Sequence, residues 1–389
     1  MDSKIFSIKN VNWNYPTPIW FGLNRIKEIN FACDEYNIKN PLIVTDPGIM
    51  ETEIISKIIS FFDKEIDVFS NVKSNPTGSN VDEGVNFFNK NNNDGVIAVG
   101  GGSAMDVGKG IAFMCEQNRP LWDFEDIGDY WKRANSNVIK PIIAIPTTAG
   151  TGSETGRAGV FTKEDTKEKK IIFHPRMMPS LVILDPNLTI NLPKFLTAAT
   201  GMDALAHSLE AYCSQIFHPM SQGIAVEAIK IIHDNLIQTY LVNDDLKARS
   251  NMLSTSLMGS TAFQKGLGAI HSLSHPVGAI YNTHHGLTNA IFMPYVLMRN
   301  KLEIEEKIID LCRYINLNKF TFDSFIEWTL ELRNKLEIPN KLNAIVEDDS
   351  NFEKMSLMAL NDPSTSTNPI KLEQSDFLEL YKNSYEGIL

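Results

Sequence analysis

Gly95-Val-Ile-Ala-Val-Gly-Gly-Gly-Ser103 is a short apolar, β-branched run that ends in three consecutive glycines. A run of this kind reads as a buried strand. Residues 104–115 continue in a helical pattern, so the glycines form a strand-to-helix turn. Glycine lets a backbone approach a ligand closely. The helix N-terminus behind it presents unpaired N–H groups and a positive dipole end, which suits a phosphate. The spacing is not GxGxxG, so this is not the standard Rossmann turn.

Working outward, Pro41-Leu-Ile-Val-Thr45, Ile66-Asp-Val-Phe69, Pro141-Ile-Ile-Ala-Ile145 and Leu181-Val-Ile-Leu184 are further short strands. A β-like run covers residues 5–11. Helical patterns cover 24–36, 51–62 and 81–90, and residues 157–162 with 169–173 suit a hairpin. Strands alternating with helices predict a parallel sheet with crossover helices. In such open sheets ligands bind at the carboxyl ends of the strands. Those ends carry Gly101, Gly102 and Ser103, and then Thr147, Thr148 and Thr151 of Pro146-Thr-Thr-Ala-Gly-Thr-Gly-Ser-Glu154. Asp46 closes an earlier strand. A carboxylate there accepts from a ribose 2′-OH and repels a 2′-phosphate, which favours NAD over NADP; the bland reading is an ordinary Asp-Pro-Gly turn.

Beyond residue 190 the β-branched runs disappear. Helical patterns occupy 197–213, 219–240, 245–263, 267–281, 286–300, 302–315, 320–334 and 374–384. The 389 residues make two domains the default. The expected division is an α/β dinucleotide-binding domain over 1–190 and an all-helical domain over 191–389.

The helical half holds the second chemical signal. Residues 267–289 contain His271, His275, His284 and His285, four of the chain's eight histidines. Upstream, Asp203 and His207 stand four apart, on one helix face. A mixed nitrogen and oxygen set suits a borderline divalent ion such as Fe²⁺ or Zn²⁺ and lacks the thiolates of structural zinc sites. Spacing alone leaves the ligands open. A continuous helix would pair His271 with His275. Pro276, Gly278 and Gly286 break that pattern, so the chain can turn and return His284 or His285. HExxH, the common zinc-protease arrangement, is absent.

Composition bounds the rest. Thirty-six basic and 47 acidic residues leave a net charge of −11, which argues against nucleic-acid or anionic-membrane partners. The four scattered cysteines suit reduced thiols. No secretory signal and no apolar run of roughly 18 residues is visible, so a cytoplasmic protein is expected.

Four motifs then carry a resemblance: Gly100-Gly-Gly-Ser-Ala-Met-Asp106, the 146–154 segment, Ala198-Ala-Thr-Gly-Met-Asp-Ala-Leu-Ala-His-Ser-Leu-Glu-Ala-Tyr212 and His271-x-x-x-His-Pro-x-Gly-Ala-x-Tyr-Asn-x-x-His-Gly286. Together they resemble the iron-containing (group III) alcohol dehydrogenases, from about residue 16 to Asn368-Pro369. The resemblance implies a dehydroquinate-synthase-like fold: an α/β dinucleotide domain, an all-helical metal domain and a site in the cleft between them. It implies Asp203, His207, His271 and His285 as metal ligands, and His275 near the substrate as a proton relay. It leaves His284 as a bystander. Asp46, Gly101, Gly102, Ser103, Thr147, Thr148 and Thr151 fall on positions similar to the NAD-contacting ones, and Asp106 is grouped with them. It also implies a homodimer or larger homo-oligomer.

The chemistry expected from the resemblance is hydride transfer between a small primary alcohol or hydroxy acid and NAD, with Fe²⁺ (or Zn²⁺) acting on the alcohol oxygen. Phe263 and Lys265 precede the 267–289 segment, and Lys265 or Arg157 could pair with an anionic substrate tail. Rival readings are a zinc-dependent polyol dehydrogenase of the glycerol type, a 3- or 4-hydroxy acid dehydrogenase, a dehydroquinate synthase and a nucleotide or metal sensor.

Overall fold

A computed structural model describes residues 11–13 and 17–389. Apart from Val11, the β-like run at 5–11 lies outside the described residues. The described residues fall into two compact units. One reaches Thr148 and resumes over Gly152–Asn191; the other comprises Ala149–Thr151 and Leu192–Leu389.

The first unit contains β1 (Val11–Trp13), β2 (Ile19–Phe21), α1 (Ile29–Glu35), β3 (Pro41–Val44), α2 (Pro47–Met50), α3 (Glu53–Ile59), β4 (Asp67–Phe69), α4 (Gly78–Lys90), β5 (Gly95–Gly100), α5 (Gly102–Met114), β6 (Ile142–Pro146), β7 (Ala158–Lys163), β8 (Glu168–Phe173) and β9 (Leu181–Leu184). Seven strands form one sheet in the order β1-β2-β9-β6-β5-β3-β4. Every neighbouring pair is parallel except β1 on β2. Strands β3, β5, β6 and β9 are buried along their whole length. That burial on both faces is why they read as continuous apolar runs rather than alternating ones. β7 and β8 form the expected separate hairpin. The register sets Gly100 of β5 opposite Pro146 of β6, so two glycine-containing loops leave the sheet side by side.

The second unit contains α6 (Lys194–Cys213), α7 (Pro219–Leu241), α8 (Leu246–Ala262), α9 (Ala269–Tyr281), α10 (His285–Tyr314), α11 (Phe322–Lys335), α12 (Phe352–Leu360) and α13 (Gln374–Glu386). Seventeen of the twenty α6 residues are buried, so α6 is the central helix of this unit. Its core partners include Ile229, Ile232 and Leu236 of α7 and Phe292 of α10.

Helix α9 falls within the helical pattern expected at 267–281, and the turn that Pro276 had left open does not occur there: the helix runs on for five residues. Proline removes one backbone bond and crowds the preceding turn. The Tyr381 hydroxyl donates to the Leu273 carbonyl in that turn at 2.8 Å. Pro294 inside α10 is treated in the same way: Arg333 Nη1 donates to the Ile291 carbonyl at 3.2 Å. The turn comes at Asn282, in the left-handed conformation at φ 54°. Likewise, the patterns at 286–300 and 302–315 belong to one helix, α10, since no breaker separates them. Helix α12 had no counterpart among the expected helices.

All four cysteines are buried free thiols. Among the described residues no helix is long and apolar enough to cross a membrane.

Candidate active site

In the first unit, β5 ends at Gly100, whose φ of +144° is a conformation that side chains rarely adopt. A Cβ there would stand 2.8 Å from the Ala104 Cβ and 3.1 Å from Asp46 Oδ2. Asp46 therefore lies against the glycine turn, while its Oδ1 caps α2 by accepting from the Ile49 N–H at 3.1 Å. Gly101 is the N-cap of α5 and, as a glycine, offers no side chain to cap the first amides of α5. Thr148 adjoins Gly101, and the Thr147 N–H donates to the Gly100 carbonyl at 2.9 Å. Thr147 Oγ1 is buried and has no hydrogen-bond partner among the described residues. Ser103 instead turns its hydroxyl to the Ser74 carbonyl at 2.6 Å. The structure thus brings Asp46, Gly101, Gly102, Thr147 and Thr148 to one set of strand ends; Thr151 clusters with the second unit.

Asp106 is engaged within the protein. Its carboxylate takes the Ser153 hydroxyl at 2.5 Å, the Val160 N–H at 2.9 Å and the Lys109 ammonium at 3.1 Å. Those bonds fasten α5 to the 153–160 segment.

In the second unit, α6 presents Asp203, His207 and Glu210 at i, i+4 and i+7. Helix α9 brings His271 and His275, and α10 opens with His285 and brings Asn289 one turn on. One ligand atom each from Asp203, His207 and His271 lie within 4.8 Å of one another, and all three residues are buried. His285 Nε2 is 3.6 Å from Asp203 Oδ1. The His271 ring centroid is 4.6 Å from that of His207 and 5.2 Å from that of His285. Gly286 permits this approach: a Cβ there would sit 2.2 Å from the Ala199 carbonyl oxygen and 3.0 Å from the Asp203 Cβ.

The electrostatics suit a cation. Burial pushes the His207 imidazole down to about 4, which leaves a neutral ring with a lone pair to offer. Burial also works against a charged His271, but the Glu210 carboxylate and the charges of Asp203 and Asp362 outweigh it and hold His271 above its ordinary value. His271 Nδ1 lies 2.5 Å from Glu210 Oε2. Asn289 Nδ2 reaches Asp203 Oδ1 at 2.8 Å, His285 Nε2 at 3.1 Å and His271 Nε2 at 3.3 Å. Three imidazoles and one carboxylate, with His271 held from behind by Glu210 and Asp203 held by Asn289, fit a borderline divalent metal.

His275 stands beside this cluster, its ring stacked on His285 at 5.3 Å between centroids. Its Nδ1 pairs with Asp362 Oδ2 at 2.7 Å. Phe263 packs its ring on His207 at 5.3 Å. His284, the N-cap position of α10, lies edge-on to Phe195.

The two cations suggested for an anionic substrate are placed otherwise. Lys265 is 2% exposed, and its ammonium donates to the carbonyls of Ala211, Tyr212 and Ser214 at 3.0, 3.2 and 2.5 Å. It closes the C-terminal end of α6, where cations are favoured. Arg157 is exposed, with its guanidinium over the Phe173 ring at 5.6 Å.

Glu210, Asn289 and Asp362 were not singled out from the sequence. Glu210 had a signal, since it continues the Asp203/His207 face by one more turn. Asp362 had none, because 87 positions separate it from His275.

Residues 16–186 match the family described as iron-containing alcohol dehydrogenase, and residues 197–385 match the C-terminal part of the Fe-containing alcohol dehydrogenase family. The chain is 33% identical to the 1,3-propanediol dehydrogenase of Citrobacter freundii, over 97% of this chain and 100% of that one. A crystal structure of 1,3-propanediol oxidoreductase superposes with a TM-score of 0.89 at 32% identity, covering 98% of this chain and 100% of that one. Sulfoacetaldehyde reductase from Bifidobacterium kashiwanohense, solved with NAD⁺, superposes with a TM-score of 0.85 at 26% identity, covering 97% and 99%.

Proposed function

The chain belongs to the iron-containing alcohol dehydrogenase family, and on that footing we propose that it is an NAD-dependent dehydrogenase interconverting a small, neutral primary alcohol and its aldehyde. The observation that carries the reading is the buried Asp203, His207 and His271 cluster with His285 3.6 Å from the Asp203 carboxylate. These four side chains would hold the ion, with Fe²⁺ first and Zn²⁺ second. A divalent ion there supplies Lewis-acid polarisation of the alcohol or carbonyl oxygen, and NAD supplies the hydride acceptor.

The chain's own residues do the rest. His207 and His271 offer imidazole nitrogens from two helices, and Asp203 brings a negative charge that offsets the ion's. His275 is the proton relay, with Asp362 holding its Nδ1. The open α5 N-terminus, with Thr147 and Thr148 beside it, takes the pyrophosphate of the dinucleotide. Asp46 faces the same turn and favours a free ribose hydroxyl over a 2′-phosphate.

A neutral substrate is favoured because Lys265 is engaged with backbone carbonyls. The same reading makes the protein a cytoplasmic homo-oligomer. The test is an anaerobic screen at 340 nm with NAD and NADP, Fe²⁺ and Zn²⁺, a short diol and a matched ω-hydroxy acid. Turnover of the diol with NAD is expected. Turnover confined to the hydroxy acid would overturn the neutral substrate, and none with either metal would overturn the enzyme reading.

A further inference from the structure

We propose that Glu210 is a positioning residue that decides which nitrogen of His271 faces the metal cluster, because one of its oxygens is taken by a backbone N–H and the other faces His271 Nδ1. This rests on the metal reading above and assigns a role to a residue outside the four ligands.

Glu210 lies on the ligand face of α6 and is 6% exposed. Its Oε1 accepts from the Ile270 N–H at 2.7 Å, in the first turn of α9. Its Oε2 faces His271 Nδ1 at 2.5 Å. The carboxylate therefore does two things at once. It satisfies an amide that α9 leaves open, because the N-cap, Gly268, has no side chain. It also requires a proton on His271 Nδ1, since a carboxylate offers acceptors alone. With Nδ1 protonated, Nε2 keeps its lone pair on the side where Asn289, Asp203 and His285 gather.

Glycine at 268 leaves room for this pose. A Cβ on Gly268 would stand 3.1 Å from Glu210 Oε1 and 2.9 Å from Asn368 Oδ1. The Asn368 side chain accepts from the Ala269 N–H at 3.2 Å, so the first turn of α9 is tied down by two side chains from elsewhere in the chain.

The consequence is that glutamine is not a conservative replacement. In Glu210→Gln the amide oxygen must stay on the Ile270 N–H, because an NH₂ group there would meet a donor. The NH₂ group is then left facing His271 Nδ1. That nitrogen must become the acceptor, which moves the ring proton to Nε2, where the metal needs a lone pair. Helix α9 remains capped while the ligand is reversed. Glu210→Ala loses both functions.

The experiment titrates the metal-free protein with Zn²⁺ by calorimetry and measures its melting temperature, for wild type, Glu210→Gln, Glu210→Ala and the ligand variant His207→Ala. Glu210→Gln is expected to melt within a few degrees of wild type yet bind Zn²⁺ about 10–100-fold more weakly, the usual scale for an outer-shell partner. Glu210→Ala is expected to lose both affinity and melting temperature. Wild-type affinity in Glu210→Gln would overturn the proposal. Equal binding by wild type and His207→Ala would instead overturn the metal assignment. Should Glu210→Gln not fold, the ¹⁵N spectrum of the Zn²⁺-loaded wild type decides: a protonated Nδ1 on His271 is expected, and a protonated Nε2 would contradict it.

Discussion

His275 Nδ1 lies 2.7 Å from Asp362 Oδ2, and the pair is shielded, with side-chain exposures of 14% and 10%. Burial works to raise the Asp362 carboxyl, but the His275 charge and hydrogen bond outweigh it, together with the Ser364 N–H and hydroxyl, and hold it down at about 2. Asp362 Oδ1 is taken by the Ser364 N–H at 2.9 Å. In Asp362→Asn the amide oxygen is needed there, which leaves NH₂ against His275 and reverses that ring. The expected result is a kcat lower by about 10–100-fold with bound metal unchanged, read from steady-state rates and metal analysis of one preparation. An unchanged kcat would remove Asp362 from the proton path.

The Lys265 ammonium is held by the carbonyls at the end of α6. Lys265→Met is expected to leave the preference for a short diol over the matched ω-hydroxy acid as it is in wild type; a selective loss on the acid would restore the anion-pocket role. Stability carries a second signature. Burial, with the Lys307 charge next, pushes Lys265 from 10.5 down to about 8. Between those values the unfolded chain holds a proton that the folded chain lacks, so stability rises with pH there. Wild type should therefore gain stability over Lys265→Met as pH climbs from 8 towards 10.5, in denaturant melts. A flat difference would contradict the lowered value of Lys265.

Gly286 and Gly223 should respond oppositely to alanine. At Gly286 the new Cβ meets backbone at 2.2 Å, where α10 starts against α6. Gly286→Ala is expected to destabilise by about 1–3 kcal/mol and to weaken metal binding, since Asp203 lies at the clash. At Gly223, in α7, a Cβ meets nothing within 4 Å. Gly223→Ala should stabilise by about 0.5–1 kcal/mol through helix propensity. Thermal denaturation checks both, and equal shifts would contradict the packing argument.

The α/β unit was legible because its central strands are buried on both faces and so spell continuous apolar runs. That Asp203, His207, His271 and His285 gather in one place was expected from the family resemblance, and the structure brings them together; spacing alone had left His275 as a rival. What escaped the sequence depends on distant partners. Tyr381, which supports the turn before Pro276 by donating to the Leu273 carbonyl, stands 108 positions away from it. The anchoring of Lys265 was hidden because the carbonyls it serves lie 51 to 54 positions upstream. That of Asp106 was hidden because its partners, Ser153 and Val160, come from a different segment.

The division of labour among the histidines is the centre of the account, and metal content measures it directly. Wild type, His275→Ala and His285→Ala should be prepared anaerobically with Fe²⁺, freed of loose ion and analysed for bound metal alongside NAD-linked rates. One ion per chain is expected in wild type and His275→Ala, with the latter slower by about 10²–10⁴-fold, and little bound metal in His285→Ala. Loss of metal from His275→Ala with retention in His285→Ala would contradict the assignment and return His271 and His275 to a helical ligand pair.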